Sequence, residues 1–328
     1  MLFGLLVSPW RLRQAGILGM NARNANYIAR YNPRALYPVV DHKLKTKKAC
    51  HKAGIATPRL LGYIETLGEV DRLMRRLADM TDFVIKPSRG SGGKGIVVVA
   101  GRDGPDFLKP SGARMTVLDI RRHISDILSG LYSLGGKPDS VMVEQRVDFD
   151  PVFDDYSFEG VPDIRVIVFK GFPVMAMMRC STHASDGRAN LHQGAVGVGL
   201  DIRSGRSIHA VQRGNPVTEH PDTKRPFRDL RVPNWEQLLL LATRCQDATR
   251  LGYIGCDLVL DRKLGPLVLE LNARPGLSIQ IANGAGLLPR LQAIEALGED
   301  ELEWPAEKRV AYSRSLFGHA RPRSEQAA

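Results

Sequence analysis

Asp257, Glu270 and Asn272 stand in two short apolar runs near the end of the chain, YIGCDLVLD and LVLELN, joined by the charged turn RKLG. Strand side chains repeat every two residues. The first run therefore carries Cys256, Leu258 and Leu260 on one face and Asp257 and Val259 on the other, and the second puts Glu270 with Asn272. A four-residue hairpin loop over 262–265 would pair Asp261 with Pro266 and set Asp257 opposite Glu270. Like charges facing each other destabilise a strand pair, so a cation is expected between them. The oxygen donors are the kind that Mg2+ takes, especially where phosphates complete its shell. The plain structural alternative is a solvated polar face on an ordinary hairpin.

A second chemical stretch is KPSRGSGGKGIVVV, residues 86–99. Lys86 ends an apolar run, and Gly90, Gly92, Gly93 and Gly95 separate it from another. Such a loop between strands lets backbone N–H groups close on phosphate oxygens, within reach of Lys86, and glycine accepts the positive φ this needs. The order is not that of a Walker loop, and no GxGxxG opens a helix here. The alternative is a flexible hairpin tip. A third pair is Arg165 and Arg179 in DIRVIVFKGFPVMAMMRC. A three-residue loop over 171–173 sets them face to face, and a two-residue loop puts them on opposite faces; the pattern leaves the register open. Facing guanidinium groups would imply an anion between them. The lysines of DHKLKTKKACHK fit a solvated helix face capped by Asp41, with one at most in a functional role. His192 is a candidate for proton transfer, though a loop histidine is more often an ordinary hydrogen-bonding residue.

The elements that must position these groups follow from periodicity. Val70, Leu73, Met74 and Leu77 mark a helix. Residues 82–87 and 140–147 read as strands, with 101–140 an insertion holding a helix over Ile120–Leu134. Residues 148–162 read as an acidic loop and 203–232 as a basic surface loop. Asn234 can cap a helix to about Arg250, and Leu287–Leu297 reads as the last one, with a polar, frayed tail from Ser313. The expected domains are a short segment 1–40, a core 41–300 with a small lobe about 80–147 and a large lobe about 160–290, and a tail 301–328.

The chain has 328 residues, enough for two or three lobes, with 43% hydrophobic and 25% charged residues. A net charge of +11 suits anionic ligands without choosing among them. Cys50, Cys180, Cys245 and Cys256 form no CxxC pair, which argues against a zinc or disulfide framework and fits reduced core thiols in a cytoplasmic protein. MLFGLLV is too short to span a bilayer. Residues 1–18, with Arg11 and Arg13, could make a peripheral membrane contact or dock on the core. Aromatic content of 6% and no RNA-binding motif make a nucleic-acid partner the weaker reading of the charge.

Taken in order, the motifs resemble the ATP-grasp carboxylate–amine ligases, particularly the RimK-like α-L-glutamate ligase branch. They are DHKL at 41–44, VIKPSRGSGGKGI at 84–96, VEQRV at 143–147, DIRVIVFKG at 163–171, RANLHQG at 188–194, GCDLVL at 255–260 and LELNARPGL at 269–277. The resemblance implies an α+β fold with two lobes clamping ATP between antiparallel sheets. It implies that Lys43 and Lys86 meet the phosphates under the Gly90–Gly95 loop, including Ser91, Gly92 and Gly93. Glu144, Gln145, Arg146 and Val147 would hold the adenine. Asp163, Arg165, Arg188 and Asn190 fall at the nucleotide and phosphoryl site, and Asp257, Glu270 and Asn272 at the Mg2+ (or Mn2+) site. The implied reaction joins a small-molecule or peptide carboxylate to an amine through an acyl phosphate. A carboxylate and a γ-phosphate repel by about 4 kcal/mol per unit pair at ~4 Å and an effective dielectric of ~20. Lys86, Arg179 and Arg274 are the catalytic candidates that would offset this. About 40 residues precede the core, fewer than the separate lobe usual in the family, and Arg274 stands where the closest pattern has a small residue. A phosphotransferase on the same fold is the nearest competing enzyme.

Overall fold

The computed structural model describes residues 8–90, 93–133, 135–158 and 160–318. The smaller main sheet contains β1 (Leu60–Ile64), β2 (Phe83–Pro87), β3 (Val97–Val99) and β7 (Val141–Glu144), in the order β1-β7-β2-β3, with antiparallel pairs throughout. Alternation sends Phe83, Ile85, Val141 and Val143 into a core shared with the helices Val70–Ala78 and Val117–Leu128. Lys86 and Glu144 are left on the opposite face. The first helix buries Val70, Leu73, Met74 and Leu77, the spacing of one helical face. The second begins at a Thr116–Asp119 capping box and ends before Gly130, whose φ of 89° no other residue would adopt readily. It is therefore shorter than the expected Ile120–Leu134. A three-stranded sheet of β4 (Gly101–Asp103), β5 (Asp106–Leu108) and β6 (Arg114–Met115) fills much of the rest of the insertion.

The large sheet contains β8 (Asp163–Phe169), β9 (Phe172–Cys180), β10 (Val196–Leu200), β11 (Ser207–Gln212), β12 (Asn215–Pro216), β13 (Tyr253–Asp261) and β14 (Gly265–Asn272). Its order is β12-β11-β10-β9-β8-β13-β14. β11 and β12 lie in the stretch expected to be surface loop. The helix Trp235–Thr249 covers one face, burying Leu238, Leu239, Ala242 and Cys245 against the Cys256 side of β13. The other face carries Tyr253, Asp257 and their neighbours. All four cysteines are buried and free.

Both flanking segments dock on this large core. Leu18, Tyr27 and Ile28 belong to it, and buried Asn32 donates to the Tyr253 and Ala273 carbonyls at 2.7 and 3.0 Å. At the other end Ala306–Phe317 is a helix that buries Val310, Ser313 and Phe317. The helix thus runs through Ser313, where the frayed tail was expected to begin, on a narrow apolar stripe; residues 319–328 lie outside those described. Between the sheets, Gln145 N donates to Arg59 O at 2.9 Å and Asp148 N to Asp261 Oδ2 at 3.0 Å, while Val147 packs on Val259 and Leu267.

Among the described residues no helix is long and apolar enough to cross a membrane. Pro9–Gln14 buries none of its residues, whereas Leu18 is in the core; residues 1–7 lie outside those described.

Candidate functional site

The Asp257 and Glu270 carboxylates do face each other across the terminal hairpin, but by a different route from the one expected. The loop has three residues, with Asp261 opposite Gly265 at φ 75°, and a bulge then places Leu258 opposite Val268 and Asp257 opposite Glu270. The extra residue, Leu269, restores the register that the shorter loop would have shifted by one.

The arginine hairpin uses the same device. Phe169 pairs with Phe172 around a two-residue turn, and a bulge between Ile167 and Val168 brings Arg165 opposite Met177 and Asp163 opposite Arg179. Neither loop considered from the sequence is correct in full. Arg165 and Arg179 share a face without being directly opposed, and the anion between them is Asp257. Arg165 grips it from both edges, Nε to Oδ1 at 2.7 Å and Nη2 to Oδ2 at 2.6 Å. Arg179 reaches Oδ2 through Nη2 at 3.0 Å and also holds Asp163, with Nε donating to Oδ1 and Nη2 to Oδ2. Burial pushes the Asp257 carboxyl up, but the two guanidinium groups outweigh it and hold the group below its usual range. Asp163 goes the other way: burial raises it, and Arg179 offsets only part of the rise.

Two lysines from one helix, Lys43–Lys52, enter the site. Lys43 Nζ donates to the Gly90 carbonyl and lies 3.9 Å from Glu270 Oε1. Lys47 Nζ is 2.9 Å from Glu144 Oε1, whose other oxygen is 2.5 Å from Lys86 Nζ. Burial lowers the pKa of both Lys43 and Lys47 against the pull of Glu270 and Glu144. Lys47 was not singled out from the sequence. Its i, i+4 spacing from Lys43 is the available signal, since such residues share a helix face. Asp139 is a second omission: its buried carboxylate accepts from Arg89 N at 2.9 Å and Ser140 N at 2.7 Å, fixing the root of the glycine-rich segment.

The remaining candidates are spread more widely. Gly93 has the positive φ expected of it, at 76°; Ser91 and Gly92 lie outside the described residues. Gln145, Arg146 and Val147 line a cavity of about 310 Å³ with Asp82, Asp261 and Lys263. Arg188 is exposed, 3.5 Å from Asp186, and Asn190 Oδ1 accepts from His192 N at 3.0 Å in a short turn. Among the described residues, no hydrogen bond or ion pair joins Arg188, Asn190 or His192 to the carboxylate cluster. Arg274 is exposed, 3.6 Å from Asp41 and 5.4 Å from the centre of the Tyr37 ring.

Among the described residues no group of three or more His, Cys, Asp or Glu side chains could hold a metal. The hairpin set is two carboxylates and an amide, which suits a cation whose shell is completed by phosphate and water. Asn272 donates its Nδ2 to Asp257 Oδ2 at 3.3 Å, which leaves its amide oxygen as an acceptor. Among the described residues, Glu270 keeps both oxygens free of hydrogen bonds, with Lys43 at 3.9 Å, and Asp257 Oδ1 accepts only from Arg165. Glu270, Asn272 Oδ1 and one lone pair of Asp257 could therefore hold Mg2+.

A family model described as "Sugar-transfer associated ATP-grasp" matches residues 22–296. The chain belongs to that family. Its fold is accordingly ATP-grasp, α+β, with antiparallel sheets carrying Lys86 and the carboxylate hairpin. The match is to ATP-grasp in this form, and the narrower RimK-like branch does not follow from it. Solved ATP-grasp structures similar to the chain include the D-cycloserine synthetase DcsG (15% identity, TM-score 0.46, covering 88% of this chain and 80% of that one). Others are D-alanyl-alanine synthetase A from Vibrio cholerae (12%, 0.44, 87% and 67%) and L-amino acid ligase from Bacillus licheniformis (15%, 0.42, 76% and 44%). The chain thus spans less than half the length of the last. No curated protein matches it.

Proposed function

We propose that this ATP-grasp protein is an ATP- and Mg2+-dependent ligase that activates a carboxylate as an acyl phosphate and joins it to an amine. The observation that best supports this is the position of Lys43. One ammonium group donates to the Gly90 carbonyl, at the root of the glycine-rich segment, and lies 3.9 Å from Glu270 of the carboxylate pair. A triphosphate lying between the two would meet Lys43 and Lys86 together. Glu144–Val147 would take the adenine, with Asp163, Arg188 and Asn190 nearer the ribose and phosphates.

In the reaction, a carboxylate oxygen attacks the γ-phosphorus and the bond to the ADP oxygen breaks. An amine lone pair then attacks the acyl carbon, the C–O bond to phosphate breaks, and the amine loses its proton to solvent. No protein nucleophile is required. Mg2+ or Mn2+, held by Asp257, Glu270 and Asn272, would neutralise the anionic oxygens that otherwise repel each other. Arg165 and Arg179 keep Asp257 ionised for this role, and Lys86 and Arg274 would add positive charge where phosphate and carboxylate meet.

The test is an ADP-release screen with carboxylates and amines in pairs: amino acids including glutamate, short peptides and, following the family's description, amino sugars and sugar acids. A productive pair should give hydroxylamine-trappable acyl phosphate and an amide. Glu270→Ala should stay folded and lose Mg-ATP turnover; full activity in it would remove the metal assignment. ADP release with a phosphorylated product and no trappable intermediate would favour a phosphotransferase. The exposed Pro9–Gln14 helix also supports a peripheral membrane contact, for which sedimentation with anionic vesicles is the check.

A further inference from the structure

Arg23 opens a π-helix, Arg23–Ile28, within the helical run from Met20 to Tyr31. π geometry is rare, appears mostly as single turns, and is frequent at functional sites. Here it occurs in a segment pinned at both ends. Gln280 exchanges two hydrogen bonds with the Leu18 backbone, at 2.8 and 3.1 Å. Asn32 bonds Tyr253 N and O and the Ala273 carbonyl. The segment is therefore fixed against β13 and against the 273–276 loop that follows Asn272.

Arg23 is held within this frame as a shaped donor. Its Nε and Nη2 both donate to Asn24 Oδ1, at 3.1 and 2.8 Å, and its Nη1 donates to the Pro275 carbonyl at 2.7 Å. Of its five N–H donors, one on each terminal nitrogen has no partner among the described residues. Nor does any described carboxylate pair with it, whereas Arg30 in the same run lies 3.4 Å from Glu295. On the strand that this segment is fixed against, the buried Tyr253 hydroxyl has no hydrogen-bond partner among the described residues. A buried phenol normally finds a partner.

The location relates this donor to the reacting centre. Tyr253, Gly255 and Asp257 alternate along one face of β13. Pro275 sits on Gly255 so closely that a Cβ there would come within 2.6 Å of it. At about 3.3 Å per strand residue, Gly255 is roughly 7 Å and Tyr253 roughly 13 Å from Asp257. A group meeting Arg23 beside Pro275 is therefore set back along β13 from the carboxyl that would be activated beside Asp257 and Glu270. It can be a second anionic group on the molecule that attacks it.

We propose that Arg23, oriented by Asn24 and the Pro275 carbonyl, recognises a non-reacting carboxylate of the amine acceptor. The acceptor is then an amino acid, a peptide with a free acid end or an amino sugar acid, and its carboxylate survives in the product. This rests on the ligase reading, so the experiment separates the two. The full-length protein, saturated with Mg-AMPPNP, is titrated calorimetrically with amino acids and an amino sugar acid, and with the carboxamide of each. ADP release is measured with the same probes, ATP and a pool of carboxylate donors.

Wild type should prefer acids to amides by about 10- to 100-fold, the range for one charge-assisted contact. Arg23→Met should abolish that preference by raising KM for the acids, with kcat and Mg-ATP affinity within twofold. Arg23→Lys should keep part of it and guards against a folding artefact, as does an unchanged Tm. Equal binding of acids and amides by wild type, or equal loss of both in Arg23→Met, overturns the inference. So does the absence of any probe binding. Acid-selective binding that Arg23→Met removes, without ADP release, would sustain the Arg23 site while defeating the ligase reading.

Discussion

Asp257→Asn is the most informative single change, because this one carboxylate accepts from both guanidinium groups. The cluster of Arg165, Arg179, Asp163 and Asp257 is neutral as a set. The Arg165 and Asp257 side chains are only 13% and 5% exposed, so the substitution leaves a positive charge buried without its partner. Breaking a buried pair in this way costs about 3–5 kcal/mol. Urea unfolding should show the loss as a lower midpoint at unchanged slope. The sign with pH follows from the lowered Asp257 pKa: its stabilisation is present above the unfolded value near 4 and fades as pH falls further, so Asp257→Asn should lack that acid limb. Adding Arg165→Met restores neutrality, with Arg179 still holding Asp163. The double variant should recover about 2–3 kcal/mol relative to the sum of the single changes while remaining inactive. Additive losses, or a cost under about 1 kcal/mol for Asp257→Asn, would refute the view that Asp257 and the two arginines are energetically coupled.

Other outcomes are expected from the same geometry. Since burial lowers the Lys43 pKa, kcat/KM for ATP should fall on the alkaline side at a pH below the ordinary lysine value, and Lys43→Arg should move that limb upward. Lys47→Met should raise KM for ATP more than it lowers kcat, because Glu144 is then left to Lys86 alone; an unchanged KM would assign Lys47 to the scaffold. Gly255→Ala should push Pro275 off β13, costing about 1–3 kcal/mol and lowering turnover with little effect on KM for ATP.

The two strand pairs that build the site show which features were legible in the sequence. Alternation in YIGCDLVLD and LVLELN sorts core from site residues correctly, because each strand has a buried face that enforces its own period. Loop length is another matter. Both hairpins turn in fewer residues than the three or four that would align the charges, and both insert a bulged residue that restores the facing. A bulge costs one unpaired residue and leaves no mark on composition, so two compensating departures were invisible while their sum was read correctly at Asp257 and Glu270. At Arg165 and Arg179 the same compensation produced a geometry that neither simple loop allows.

What the sequence concealed most was the pairing of charge between distant segments. Asp163 and Arg165 read as nucleotide-site residues and Arg179 as a catalytic one, yet most of their hydrogen-bonding capacity is spent on Asp257 and on one another. Lys47 and Glu144 are 97 positions apart, and nothing local shows that they meet. The groups left for substrate are those whose partners are weak or few: Lys43, Glu270, the Asn272 oxygen and Arg23. The physical division in this fold is therefore between charges that neutralise each other to shape the cleft and charges kept under-satisfied at its edges. The second set should carry most of the recognition, because its members can take a new partner without breaking a tight buried ion pair.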